Sequence, residues 1–279
     1  MVGVLGVSAS AILVRFSQAP SGVTAAYRLG WTVLLLLPVV LLRCRAELRR
    51  VTARDLVLCG ASGVLLALHF LTWFESLKRT SVASSTVLVS TEVIFTAMGF
   101  ALFLHGKIPR LGVWAILLAF GGSALLALSG GGGAGELSGN LLALAAASAA
   151  AVYTLIGRIQ RGHLSTTVYT FLTYFLTLLL GTAAAGTPLT GYGGREWLIG
   201  LALAVLCTLL GHSLFSWCLK YLSPSYVSAA KLCEPVFSSL AAIPLFGEVP
   251  GPLQLAGGAA VLGAVLLYTW AEREKTPAG

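Results

Sequence analysis

Four ionisable side chains stand inside otherwise apolar runs of the chain: Arg28, Glu92, Lys231 and Glu234. Their formal charges sum to zero. A charge at the centre of a bilayer costs about 2.5–3.5 kcal/mol on insertion scales, so such a residue faces a cavity or a partner. Glu92 and Glu234 are the two acids. A carboxyl in low dielectric can hold a proton or meet a cation, and two carboxyls close together push one of their pKa values up. The competing structural reading neutralises them locally. Lys231 and Glu234 are three residues apart on one helical face, and Arg28 can answer Glu92 across helices. Arg28 has the planar fork that suits a carboxylate or phosphate, or it serves a structural pair. Lys231 either contacts solute or snorkels to the interface.

His69 and His212 stand in two further apolar runs. A lone buried histidine is a hydrogen-bonded structural residue or a proton relay. Tyr27, Trp73, Tyr169 and Trp217 supply aromatic walls for a cavity, or anchor at the membrane interface, which is the reading preferred for Trp217 and Trp270. Phe95 and Phe237 read as packing residues. The expected solute-binding set is therefore Glu92, Glu234, Arg28, Tyr27, His69, Trp73, Lys231 and His212.

These residues need elements to hold them. The chain has 279 residues, 57% of them hydrophobic and 10% charged, with a formal net charge of +8. Mean hydropathy is +0.90. An ordinary soluble domain carries about 25% charged residues, so a soluble enzyme and a disordered chain are both excluded. The apolar runs are long, continuous and rich in Leu and Ala, which predicts α-helices rather than the alternating strands of a barrel. Ten spans are predicted, at 1–16, 21–42, 55–75, 81–104, 111–128, 138–157, 165–185, 196–218, 225–246 and 252–270. No basic segment precedes the first run, so it reads as a span and not as a signal peptide.

The basic residues sit at the ends of runs rather than in one stripe, which argues against nucleic acid. With the N-terminus inside, twelve Lys and Arg fall on the inner side and four (Arg15, Lys78, Arg79, Arg195) on the outer side. That asymmetry predicts a cytoplasmic-membrane protein with both termini cytoplasmic. Five cysteines occur singly, with no C-x-x-C and no zinc or disulfide framework. No cofactor and no metal are expected. Gly121-Gly122, Gly257-Gly258 and Gly263 mark close helix approaches, and residues 130–137 form a Gly-rich linker.

An internal repeat runs at an offset of 141–142 residues. Leu77-Lys78 matches Leu219-Lys220, Ser81 matches Ser223, Glu92 matches Glu234, and Phe95 matches Phe237. Gly106-Lys107-Ile108-Pro109 matches Gly247-Glu248-Val249-Pro250, Gly122 matches Gly263, and Tyr27 matches Tyr169. Each half holds five spans, an odd number, so the second half enters the membrane from the opposite side. Inverted repeats are an architecture of secondary transporters, with the site near the midplane.

The repeats resemble the five-helix EamA-type units of the drug/metabolite transporter superfamily. Ala25-Ala26-Tyr27-Arg28 resembles the span-2 arginine motif. Glu234-Pro235-Val236-Phe237 with Gly247-Glu248 resembles the signatures of span 9, and Thr91-Glu92-Val93-Ile94-Phe95 with Gly106-Lys107 those of span 4. The first half departs from the pattern, since Val93 stands for the proline and Lys107 for the acid. The resemblance implies an all-α integral membrane protein of ten helices in two inverted repeats, 1–129 and 138–270, with a tail at 271–279. It also implies that spans 5 and 10 sit at the back of the fold. The expected function is secondary transport of a small amino-acid-like or other polar solute by alternating access, with protons as the candidate coupling ion and no ATP site. Within that family the cargo ranges over amino acids, sugars, nucleotide-type metabolites, amines and drugs. Expected partners are the solute, the lipid bilayer and protons, in a monomer or homodimer. Two other classes remain open at this point: an intramembrane enzyme built on Glu92 and Glu234, although no catalytic motif accompanies them, and a non-transporting scaffold.

Overall fold

A computed structural model describes residues 2–103, 108–129, 134–160, 162–184, 188–212, 214 and 233–273. Among them there are helices and no strand. The elements are α1 (Val2–Phe16), α2 (Ser21–Arg43), α3 (Arg45–Leu48), α4 (Ala53–Arg79), α5 (Val82–Val89), α6 (Glu92–Phe103), α7 (Arg110–Ser129), α8 (Ala134–Gln160), α9 (Thr166–Ala184), α10 (Gly194–Ala202), α11 (Cys233–Phe246) and α12 (Pro252–Arg273). A π-helical segment, Leu203–His212, continues α10. Among the described residues six helical segments are long and apolar enough to cross a membrane, one of them Val82–Gly99, and four further apolar helices are shorter.

The two ends of the bundle are conveniently called after Arg15 and Asp55. At the Asp55 end α4 starts with a capping box. The Thr52 hydroxyl accepts from Asp55 N, and the Asp55 carboxylate accepts from Thr52 N. The reciprocal pair satisfies two of the backbone donors that a helix start leaves open. The same carboxylate accepts from His163 Nε2 at 2.5 Å and from Gln160 Nε2 at 3.3 Å, which ties α4 to the end of α8.

The core lies where α4 packs between α8 and α9, with α1, α2 and the α10–π run against it. A second apolar cluster joins α6, α7 and α12. The expected close approach of spans 5 and 10 is present. A Cβ built at Gly122 would lie 2.9 Å from Gly257 O, and one at Gly257 would lie 2.9 Å from Gly122 O. Only hydrogen fits between the backbones at this pair, so α7 and α12 meet at Gly122 and Gly257. The other glycines expected at close approaches are not at one, since a Cβ on Gly121 or Gly263 would meet nothing within 4 Å and one on Gly258 only Val87 Cγ2 at 3.8 Å. Leu34, Leu37, Leu41 and Leu42 of α2 and Trp114 and Leu117 of α7 point outward and are exposed, as side chains in contact with lipid tails would be.

Three departures from the expected spans bear on function. The run expected as one helix over 81–104 is broken: α5 ends at Val89 and α6 starts at Glu92. Across the break, Thr91 N donates to Leu88 O at 3.1 Å and the Thr91 and Ser90 hydroxyls donate to Leu88 O and Thr86 O. Those side chains tighten the last turn of α5 in the manner of a local helix end. The run at 196–218 becomes π-helical from Leu203. Finally, α8 starts at Ala134, so Ala134 to Leu137 of the expected linker are helical, with Glu136 in the first turn where a helix dipole favours an acid.

Candidate functional site

Arg28 sits on the buried face of α2 and is 1% exposed. Its Nε donates to Thr208 Oγ1 at 3.0 Å and its Nη1 to Ser10 Oγ at 3.1 Å. The guanidinium carbon lies 4.5 Å from the centroid of the Phe70 ring, within the range of a cation–π contact. Tyr174, Cys207 and Glu234 are within Coulombic reach. Arg28 thus touches residues from α1, α4 and the π segment, with charged or polar groups of α9 and α11 at longer range. The planar fork explains the choice of residue. One edge reaches two hydroxyls while the face lies on an aromatic ring, which an ammonium cannot reproduce.

The backbone irregularity is what places Thr208 there. In the π segment the Thr208 hydroxyl donates to Leu203 O at 3.3 Å, five residues back, while accepting from Arg28. Alpha 1 comes close enough to contribute Ser10 because of two glycines. A Cβ on Gly6 would lie 2.5 Å from Leu206 O, and one on Gly211 would lie 2.8 Å from Val7 Cγ1.

His69 and Trp73 follow one another along α4 and their rings stack with centroids 5.7 Å apart. His69 Nδ1 lies 3.0 Å from Ala146 O of α8. A carbonyl only accepts, so this nitrogen carries the proton. Trp73 is 5% exposed, and its indole N–H has no acceptor among the described residues. A buried donor without a partner is uncommon in native proteins.

The two acids have different surroundings. Glu92 opens α6 just past the break and accepts from Thr154 Oγ1 of α8 at 2.9 Å. The cross-helix answer recorded for Glu92 is thus a hydroxyl, and Arg28 is held by hydroxyls as well. Glu234 is half-buried in the first turn of α11, within Coulombic reach of Arg28 and Cys207. Tyr27 turns away from its neighbour in sequence. It stacks on Trp197 with centroids 4.1 Å apart and donates its hydroxyl to Leu189 O. Gly200 makes room for it, since a Cβ there would lie 2.5 Å from Tyr27 Cβ.

The model of the EamA-like transporter family matches this chain over residues 1–128 and again over 137–270. The chain belongs to that family. It is 27% identical over 227 residues to a probable terminal-alkyne amino-acid exporter of Streptantibioticus cattleyicolor, covering 78% of this chain and 75% of that one. It is 25% identical to the pseudopaline exporter CntI of Pseudomonas aeruginosa, covering 73% and 72%. It is 26% identical to the threonine/homoserine exporter RhtA of Escherichia coli, covering 59% of this chain and 56% of that one. A solved crystal structure shares the fold, with a TM-score of 0.67, 19% identity, and coverage of 99% of this chain and 96% of the other. The family and the apolar helices make this a multi-pass membrane transporter.

In this EamA-family chain two of the expected site residues fall wholly or partly outside the described residues. Lys231 lies outside the described residues, as do Trp217 and the start of span 9. His212 closes the π segment, with its side chain outside the description. The polar partners of Arg28, Ser10 and Thr208, were not among the expected residues, nor were Phe70 and Tyr174. A serine or threonine in an apolar run satisfies its own hydroxyl on the preceding turn, as Thr32 does on Arg28 O at 2.8 Å, so hydroxyls in spans carry no distinct signal of a site.

Proposed function

We propose that this EamA-family transporter exports an amino-acid-like solute across the cytoplasmic membrane by alternating access. In this reading ten spans form two inverted five-helix repeats, and both termini and the Asp55 end face the cytoplasm. The single observation that carries the site is Arg28, a charge 1% exposed and held by hydroxyls from α1 and from the π segment. A guanidinium kept in the middle of the bundle is costly, and it suits a carboxylate whose binding returns that cost. Glu234 supplies a negative group within Coulombic reach, so the site has both signs for a zwitterion. Trp73 Nε1 adds a donor. Glu92, on the first turn past the break in span 4, is the candidate proton carrier. His69, Tyr27, Lys231 and His212 remain candidate contacts, with His69 nearest to the Trp73 donor through their stacked rings.

Export is the direction given in the names of the relatives above, and amino acids or their derivatives appear in two of those names. The test is counterflow in proteoliposomes with a panel of radiolabelled neutral amino acids, their amides, sugars and amines. Zwitterionic amino acids are expected to exchange, with the amides failing. Exchange of sugars or amines with no amino-acid signal would overturn the substrate class, and no exchange of any class would overturn the transport reading of this site.

A further inference from the structure

The Arg15 end of the bundle carries a polar assembly that the solute site does not use. Arg15, at the end of α1, donates from Nη2 to Glu248 Oε1 at 2.8 Å. Its Nη1 donates to the carbonyls of Thr80, at 3.1 Å, and Leu77, both where α4 turns into α5. The other oxygen of Glu248 accepts from Val82 N, the first residue of α5, at 2.7 Å. One carboxylate thus joins α1 and the start of α5, from the first half of the chain, to the corner between α11 and α12, in the second. Gly247 makes the corner possible. It has φ +68°, ends α11, and turns Glu248 back over the α5 N-terminus, where a helix dipole favours an acid. Gln254 of α12 adds a weaker tie, donating to the Ser81 and Ser84 hydroxyls at 3.4 and 3.3 Å.

The geometry points to Arg15 and Glu248 as a latch that closes the two halves on each other at the Arg15 end, with the Ser90–Thr91 break as the joint on which α5 swings when the latch parts. Two features suit a contact that must open and close. The Arg15 and Glu248 side chains are 28% and 17% exposed, so water can take up both charges on separation, which is not so for Arg28. A pair in this intermediate position is directional without carrying the desolvation penalty of a buried one. And α5 is set off from α6, which carries Glu92, by the turn at Ser90–Thr91, where Thr91 N bonds three residues back to Leu88 O and the regular helical ladder is interrupted. In alternating access the halves close one end and then the other around the site. The latch would be the bond set that release of solute at the Arg15 end has to break. This inference rests on the proposed transport reading for its meaning, but its test does not need the solute.

The probe is a cysteine at Ser238 of α11, whose hydroxyl now donates to Ser8 O in the seam between α1 and α11 and which is fully buried. Ser238→Cys in the full-length protein, with Cys233→Ser to remove the native thiol on the same peptide, is exposed in right-side-out vesicles to a membrane-impermeant maleimide, and labelling of the peptide containing residue 238 is read by mass spectrometry. Adding Glu248→Gln should raise the labelling rate by about tenfold or more, the population shift expected when an open state gains ~1.4 kcal/mol. Arg15→Gln breaks the same Arg15–Glu248 pair from the other side, while leaving the Val82 N bond to Glu248, and should do likewise, so the test survives if one variant fails to fold. Glu75→Gln is the control, because the bonds of Glu75, to Arg79 on its own helix and to Ser21 of α2, stay within the first half of the chain, and it should leave the rate unchanged. The latch is overturned if folded Glu248→Gln or Arg15→Gln labels like the parent, or if Glu75→Gln raises labelling as much. A protein that responds in this way but exchanges no solute in proteoliposomes would refute the transport proposal and leave the latch standing.

Discussion

Arg28→Lys separates a guanidinium that binds solute from one that only braces helices. The substitution keeps the charge and removes the fork. Lysine can retain one of the two hydroxyl partners, Ser10 or Thr208, but cannot keep both while lying flat on Phe70 at 4.5 Å. A hydrogen bond to a charged group contributes about 1.5–3 kcal/mol, and a desolvated cation–π contact about 2 kcal/mol. The ammonium recovers part of the second, so the net loss is about 2–3 kcal/mol, or roughly 30- to 150-fold in an equilibrium constant. This loss is of contacts within the protein, so a lower Tm in detergent is expected in both cases. In the binding case the KM for an amino acid also rises and the preference for the acid over its amide shrinks, whereas in the bracing case both stay as in the parent. Counterflow at several solute concentrations, beside a thermal unfolding scan of the same preparation, reads both. An Arg28→Lys protein with parental KM and parental preference would refute the role given to Arg28.

Further outcomes follow from the same geometry. Glu92→Gln should abolish uphill transport while leaving exchange, if the carboxyl at the start of α6 carries the proton; loss of both modes in a folded protein would make it a solute or structural contact. Gly122→Val or Gly257→Val places side-chain atoms in a gap where a Cβ already lies 2.9 Å from backbone oxygen, and should cost about 1–3 kcal/mol by overpacking, seen as a lower Tm. Thr52→Ala removes the cap of α4 and should cost about 1 kcal/mol by the same measure, with no change in KM. Reporter fusions after residues 50, 108 and 160 and at the C-terminus should read cytoplasmic, and those near 79, 133 and 193 external; opposite termini would refute the inverted repeat.

The helical class and the membrane setting were legible because they follow from sums over many residues: few charges and long Leu- and Ala-rich runs. Arg28 was legible for the opposite reason, since a single charge in an apolar run is costly and therefore informative. Its partners were not. Ser10, Thr208 and Phe70 are ordinary residues for a span, and what gathers them around Arg28 is tertiary. The break at Ser90–Thr91 was also hidden. Nothing in Val-Ser-Thr-Glu-Val forbids a continuous helix, and the hydroxyls that end α5 are equally able to bond back along an unbroken one. The pairing of Arg15 with Glu248 spans 233 residues of sequence, beyond the reach of any local pattern. The Gly247-Glu248 pair was visible, but as half of a repeat rather than as a corner that aims a carboxylate.

The irregular backbone and the buried charge are parts of one arrangement. Inside a bilayer a helix that departs from its regular hydrogen bonds must find other partners for the groups it frees. At the π segment the Thr208 hydroxyl returns a bond to the backbone at Leu203 O and at the same time receives one from the Arg28 side chain. Arg28 therefore helps hold the π turn, and the π turn fixes where Arg28 sits. Solute that draws the guanidinium away from Thr208 would loosen a backbone carbonyl in the same movement, which gives binding at the centre a route to the helix that α1 packs against. Thr208→Val tests that link. It keeps the shape and removes both bonds, so it should weaken solute binding and also increase hydrogen exchange across 203–212 in the solute-free protein. Unchanged exchange there, with weaker binding, would mean that Thr208 serves Arg28 alone and that the π turn is held by its packing against Gly6.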